Sequence, residues 1–247
     1  RTSDGQLWAY TVHGIYRWDE TGFQKVSGIT TGDVAMHQPM RAGLAGELWV
    51  ANHHGLFRVR GTNVSHWGKS EGLPTDTMDS PRVAPDGAVW FQTWRYGICR
   101  FDGTNFRFVS TRDGLPSNNT FGSVVGKDGA LWCGSYAGLA RYDGTSTVVL
   151  RTENGLLHNI VHDVLQTADG SIWVIMENGI QRLDFETSRW GAADGLKSTA
   201  VETLFASRDG SVWCGTLGGG AARLTSDAVE TFTAADGLGG DYVYSFW

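Results

Sequence analysis

Short runs of apolar and mixed residues, punctuated by glycine turns, fill the whole chain, and no stretch keeps the 3.6-residue spacing of a helix. Between residues 160 and 191 the pattern is easy to follow. Ile160 to Gln166 forms a first run, Asp169-Gly170 turns the chain, and Ser171 to Met176 forms a second. Asn178-Gly179 turns it again, Ile180 to Asp184 is a third run, and Ser188 to Gly191 is a short fourth. Four antiparallel strands are the expected elements, because Asp-Gly and Asn-Gly supply the positive-φ residues of tight hairpins.

The same pattern recurs along the chain. Trp8, Trp49, Trp90, Trp132, Trp173 and Trp213 each close a short turn–Gly–x–aliphatic–Trp phrase, at spacings of 41, 41, 42, 41 and 40 residues. The stretch from Trp213 to Trp247, continued from Arg1 to Trp8, is 42, so the chain holds a whole number of repeats. The repeats begin at Asp4-Gly5, Ala45-Gly46, Asp86-Gly87, Asp128-Gly129, Asp169-Gly170 and Asp209-Gly210. A four-stranded unit of 40–45 residues that cannot bury both faces alone must be covered by neighbours like itself. The expected fold is therefore all-β: a β-propeller of six four-stranded antiparallel blades in one domain over residues 1–247. The repeated Trp is expected to pack between blades. The segment from Asp241 to Trp247 reads as a first strand and Arg1-Thr2-Ser3 leads into a second. The ring is thus expected to close by pairing of the N- and C-terminal strands, removing an exposed edge.

Composition narrows the partners. Glycine makes up 34 of 247 residues, about twice the average share of ~7%, which suits a turn-rich globular chain. Twenty Lys and Arg against 26 Asp and Glu leave a net charge of -6, so the basic field that draws in nucleic acid is missing. No apolar run approaches the ~18 residues of a membrane helix and no signal segment opens the chain; no membrane contact by this segment is expected. Arg1 at the start suggests a piece excised from a longer protein.

A second set of phrases recurs between the repeats: Glu71-Gly72-Leu73-Pro74, Asp113-Gly114-Leu115-Pro116-Ser117-Asn118, Asn154-Gly155-Leu156, Asp194-Gly195-Leu196 and Asp236-Gly237-Leu238. Asp113 lies 15 residues before the next turn pair at Asp128. With Leu131-Trp132-Cys133-Gly134 and the run from Gly138 to Gly144, the chain resembles the two-component regulator propeller repeat over its whole length. The unit opening at Gly28-Ile29-Thr30-Thr31-Gly32 departs most, lacking the Gly-Leu-Pro core. The resemblance implies a periplasmic or extracellular ligand-sensing region of a bacterial hybrid two-component sensor, often tuned to oligosaccharides, in rings usually of seven blades. No kinase or receiver segment is present, so neighbouring signalling domains would lie outside this chain. WD40 repeats fit less well, since only Trp18-Asp19 supplies that dipeptide.

Residues that vary between repeats on a constant scaffold are candidates for a ligand site. The hairpins between second and third strands read Val12-His13, Asn52-His53-His54, Trp94-Arg95-Tyr96, Tyr136-Ala137, Glu177-Asn178 and Leu217-Gly218. Seven positions before each turn pair stand Tyr244, Gln38, Asp79, Phe121, His162 and Glu202, expected to point into the channel near its mouth. Rings, carboxylates and amides of this kind suit a small polar ligand or an oligosaccharide, and no cofactor is implied. The ligand-binding candidates are Trp94, Arg95, Tyr96, His53, His54, Tyr136, Glu177, Phe121, His162, Glu202, Tyr244 and Asp79.

Two other functions are open. His162 with Asp79 or Glu202 could supply acid and base groups for a lyase or hydrolase, and a scaffold or designed propeller would bind nothing. No G-x-S-x-G elbow points to serine hydrolysis, and His53-His54 lacks a carboxylate partner at metal-ligand spacing. Cys133 and Cys214 hold the same second-strand position two repeats apart, too far for a disulfide, and Cys99 has no evident partner. Three unpaired thiols leave a cytoplasmic location open beside the periplasmic or extracellular one. The sequons at Asn63 and Asn118 carry little weight.

Overall fold

The computed structural model of the chain describes residues 1–31, 39–183, 189–190, 195–225, 228–244 and 246. Its strands fall into six antiparallel sheets, five of four strands and one of three, each a simple meander in chain order. The chain divides into two compact units, Arg1–Thr120 and Phe121–Trp247.

The fifth sheet shows how the local pattern becomes structure. Its strands are Val161–Gln166, Ile172–Met176, Gly179–Leu183 and Arg189–Trp190, within a residue or two of the runs read from the sequence. The second strand, Ile-Trp-Val-Ile-Met, is buried at every position, because successive side chains point to opposite faces and both faces are covered. Trp173 and Ile175 join Cys214, Ala222 and Leu224 of the sixth sheet. Ile172, Val174 and Met176 turn the other way, onto Leu139 of the fourth. In the first unit, likewise, Leu48 and Val50 pack with Ile15 of the first sheet, whereas Trp49 and Ala51 pack with Val89, Phe91 and Phe101 of the third. Trp49, Trp132 and Trp173 therefore serve as the expected packing between neighbouring sheets.

Each repeated Trp also faces an arginine across the second hairpin: Arg17, Arg58, Arg100, Arg141, Arg182 and Arg223 in turn. The guanidinium of Arg58 lies 5.6 Å from the centre of the Trp49 ring, that of Arg141 5.9 Å from Trp132, and that of Arg182 6.0 Å from Trp173. In four sheets the same arginine reaches the aspartate of the first hairpin, as in Arg100–Asp86 at 2.5 Å, Arg141–Asp128 at 2.6 Å, Arg182–Asp169 at 3.2 Å and Arg223–Asp209 at 2.9 Å. The Arg141 hydrogen bond thereby holds the Asp128 carboxyl below the ordinary carboxylate range. Where the second repeat has Ala45 instead of Asp, the Arg58 guanidinium lies over both Trp49 and Trp67, at 5.6 and 5.5 Å.

The Gly-Leu phrases are the connectors between sheets, and they hold their shape by one repeated set of bonds. In Ser110–Asn118, Asp113 accepts from the Ser110 backbone N at 2.9 Å, and Leu115 N donates to Ser110 O at 3.1 Å. Asn118 Oδ1 accepts from Thr111 N at 2.8 Å, and Gly114 sits in the left-handed region at φ 93°. Glu71 with Asp76, Asn154 with Asn159, and Asp236 with Asp241 repeat the arrangement. The leucine is buried at Leu73, Leu115 and Leu156. Capping and burial thus account for the phrase that carries the family resemblance.

The first sheet has three strands, Trp8–Thr11, Gly14–Asp19 and Gly22–Lys25. The C-terminal segment, expected as the first strand of this sheet, bonds to the sixth sheet's second hairpin. Tyr242 bridges Leu217, Val243 N donates to Thr216 O at 3.0 Å, and Gly220 N donates to Asp241 O at 2.8 Å. Cys99, Cys133 and Cys214 are buried and free.

Candidate functional site

Three first strands carry a bulge at or beside the candidate positions. In the fifth sheet Val161 pairs with Met176 and Asp163 with Ile175, which leaves His162 as the extra residue. In the sixth, Val201 pairs with Thr216 and Thr203 with Gly215, leaving Glu202. Both side chains are exposed beside buried Val161 and Val201. An extra residue bends the strand and re-aims its side chain out of the pleat. In the third sheet the bulge falls just after Asp79, where Ser80 and Pro81 oppose one residue and Ser80 takes φ 50°. Asp79 is half-buried, with Oδ1 accepting from Ser80 N at 2.6 Å.

In the second unit the structure brings four candidates together. The Phe121 ring meets Tyr136 edge-on, centroids 4.5 Å apart, and lies 6.0 Å from the His162 ring. His162 Nε2 stands 2.8 Å from Glu177 Oε2. The result is a continuous surface of a phenol, a phenyl face, an imidazole and a carboxylate. Tyr136 is 56% exposed because it tips the hairpin between Leu131–Ser135 and Gly138–Tyr142. Glu177 tips the corresponding hairpin of the fifth sheet and is anchored by its backbone N on Ile160 O at 3.2 Å. In the neutral ring with Nε2–H donating to Glu177, Nδ1 of His162 is the acceptor. Glu202 and Tyr244 are exposed too, but no hydrogen bond or ring contact among the described residues joins them to this run.

In the first unit, Trp94, Arg95 and Tyr96 form an exposed hairpin tip, with Arg95 in the left-handed region at φ 69°. His54 is exposed and His53 half-buried, the latter with Nε2 shielded from solvent and lacking a hydrogen-bond partner among the described residues. Asn52, from the same hairpin, is fully buried and acts as scaffold. Its side chain donates to Thr30 O at 2.9 Å and accepts from His54 N at 2.8 Å. Gln38 lies outside the described residues. Among the described residues no three His, Cys, Asp or Glu side chains gather as a metal site.

A cleft of about 470 Å³ in the first unit escaped the reading of hairpin and first-strand positions. Tyr96 is on its wall, but Pro74, Phe108, Thr111, Arg112 and Asn118 come from the connectors and a fourth strand. Comparing the connectors with one another, residue by residue, would have drawn attention to Arg112.

No family model matches the chain, and no curated protein matches it in sequence. Solved structures do. The extracellular domain assigned to the hybrid two component system BT3049 from B. thetaiotaomicron superposes with a TM-score of 0.76 at 16% identity, covering 98% of this chain and 34% of that one. Virginiamycin B lyase from Staphylococcus aureus gives 0.70 at 17% identity, covering 94% and 82%. PorZ, a surface component of the type-IX secretion system of Porphyromonas gingivalis, gives 0.71 at 14% identity, covering 99% and 43%.

The fold is of the β-propeller class. The resemblance to two-component regulator propellers agrees with the presence of such extracellular domains among these structures. The chain spans about a third of the length of the BT3049 domain. A sensor domain, a lyase and a secretion component share this architecture, so function must be argued from the site. No helix among the described residues is long and apolar enough to cross a membrane.

Proposed function

We propose that this chain is the ligand-recognising propeller of an extracellular or periplasmic bacterial sensor, taking a small polar or carbohydrate-like ligand on the face that carries its second hairpins. The observation that carries the reading is the run Tyr136–Phe121–His162–Glu177. Exposed ring faces stack on the apolar face of a sugar, while a carboxylate and an imidazole acceptor beside them take its hydroxyl protons. Trp94, Arg95 and Tyr96 offer similar groups in the first unit. Sensor domains among the similar structures support the reading, and signalling partners would be domains outside this chain.

Thermal-shift screening against neutral oligosaccharides, followed by calorimetry on the hits, tests it. Binding should weaken about tenfold in Tyr136→Ala and in Glu177→Gln, the loss of ~1.4 kcal/mol expected for one good contact. Absence of binding by every compound, or hits indifferent to both substitutions, would refute it.

A second reading is favoured by one contact. The 2.8 Å His162–Glu177 pair is the orientation a general base needs, with Glu177 in the place the sequence offered to Asp79 or Glu202. In a lyase or hydrolase of this kind, His162→Ala should abolish product formation from the bound compound without lowering the melting temperature. Unchanged turnover removes His162 from catalysis.

A further inference from the structure

The cleft of about 470 Å³ at the third-to-fourth connector combines an apolar wall with a cation, Arg112. Tyr96, Phe108 and Pro74 line it, and Tyr96 is 48% exposed. Arg112 is exposed and makes no ion pair among the described residues. The acids of the two connectors beside it are already engaged. Asp113 takes the Ser110 N and Oγ at 2.9 and 3.0 Å, Glu71 takes Gly68 N at 2.6 Å, and Asp76 takes Lys69 N at 2.8 Å and Nζ at 3.7 Å.

The repeat supplies an internal control. Among the described residues the same capped connector is built four times, and the residue at the place of Arg112 is Ser70, Glu153 or Ala235 in the others. The fold therefore does not need a cation there. The connector that carries one lies against Tyr96, whose equivalents at the hairpin tips include His54 and Ala137. A guanidinium presents paired N–H donors that match a carboxylate, and ring side chains next to it prefer a flat or ring-shaped body.

We infer that this cleft binds a carboxylate carried on a six-membered ring, with Arg112 on the carboxylate and the ring against Tyr96 and Phe108. The site is separate from the Tyr136–Glu177 run, and its occupation does not depend on the function proposed above. The ring can come from an aromatic acid or a uronic acid, and both present the same charge.

Calorimetry of the full chain with 4-hydroxybenzoate and with glucuronate, each against its uncharged counterpart phenol or glucose, tests this. At least one acid should bind, and its counterpart should bind at least tenfold more weakly; which acid binds identifies the source of the ring. Arg112→Gln and Tyr96→Ala should each weaken the acid tenfold or more, with Arg112→Lys in between because the charge remains but the fork is lost. Arg112→Gln should melt with the wild type, and Tyr136→Ala should leave acid binding unchanged. Binding of neither acid, or equal affinity in Arg112→Gln, overturns the inference whether or not neutral oligosaccharides bind elsewhere.

Discussion

Trp49 is the repeated tryptophan whose environment allows the cost of replacing it to be worked out. It is 3% exposed, packs against Trp67 at 5.9 Å and Phe101 at 6.2 Å, and carries Arg58 over its face. Its indole Nε1 is buried with no hydrogen-bond partner among the described residues. Trp49→Ala removes the ring and leaves a cavity, a change that costs ~3–5 kcal/mol. At ~2–4 °C per kcal/mol for a chain of this size, melting should fall by roughly 6–20 °C. Trp49→Phe is different. The smaller ring loses at most ~100 Å² of burial, ~2.5 kcal/mol, and weakens a cation–π contact of ~0.5–1 kcal/mol. It also removes an unsatisfied buried N–H that costs about 1–3 kcal/mol in the native state. The terms partly offset, and the expected net cost is about 0–2.5 kcal/mol, below that of Trp49→Ala. Urea unfolding followed by fluorescence and circular dichroism gives both values. If Trp49→Phe is as damaging as Trp49→Ala, the indole N–H has a partner and the packing described here is wrong. Trp8 provides the contrast: its Nε1 donates to Thr2 Oγ1 at 3.2 Å, so its Phe variant loses a real bond and gains nothing in return.

Gly134 and Gly144 are required for different reasons and should fail differently. A Cβ on Gly134 would stand 2.5 Å from the Val161 carbonyl oxygen, whereas one on Gly144, at φ 102°, would meet nothing within 4 Å. In denaturant titrations, Gly134→Ala should cost ~3 kcal/mol by overpacking and Gly144→Ala only the ~1–2 kcal/mol of left-handed strain; equal costs would contradict the close approach of the fourth and fifth sheets. Acid should weaken the protein through aspartates held low in the folded state, such as Asp128 on Arg141. Their stabilisation is present above the unfolded carboxyl value of ~3.9 and is lost as pH falls through the lower folded value. For an exposed pair this amounts to less than about 1 kcal/mol, so Asp128→Asn should slightly flatten the fall in melting temperature between pH 5 and 2, and a steeper fall would reverse the assigned sign. Burial pushes the Cys133 and Cys214 thiols up to about 12 and raises Cys99 as well. A maleimide at pH 8 should therefore label no thiol in the native chain and all three in denaturant; fast native labelling would place one of them at the surface.

The repeat was legible because its cause is local and periodic. A turn that needs positive φ takes Asp-Gly, a strand buried on both faces takes Leu-Trp-Val or Ile-Trp-Val, and each demand returns about every 41 residues. Strand order, the hairpins and the role of Trp49 and Trp173 follow from those demands alone. The Gly-Leu phrases were visible as a family mark, but their work as capped connectors was not, because it depends on bonds from Asp113 and Asn118 back to Ser110 and Thr111.

The side-chain constellation belongs to the other class. His162 and Glu177 are 15 residues apart, one on a first strand and the other at a hairpin tip, and meet where a bulge adds one residue opposite Ile175. Nothing in the order of residues distinguishes that bulge from a regular strand, since it is settled by how the backbone relieves contact with its neighbours. The cleft at Arg112 is likewise a product of packing, formed where two connectors, a hairpin tip and a fourth strand approach one another. Periodic burial and turn sterics wrote the scaffold into the chain; the meeting of groups remote in sequence was left to the tertiary structure, because it depends on strand twist, register and rotamer together.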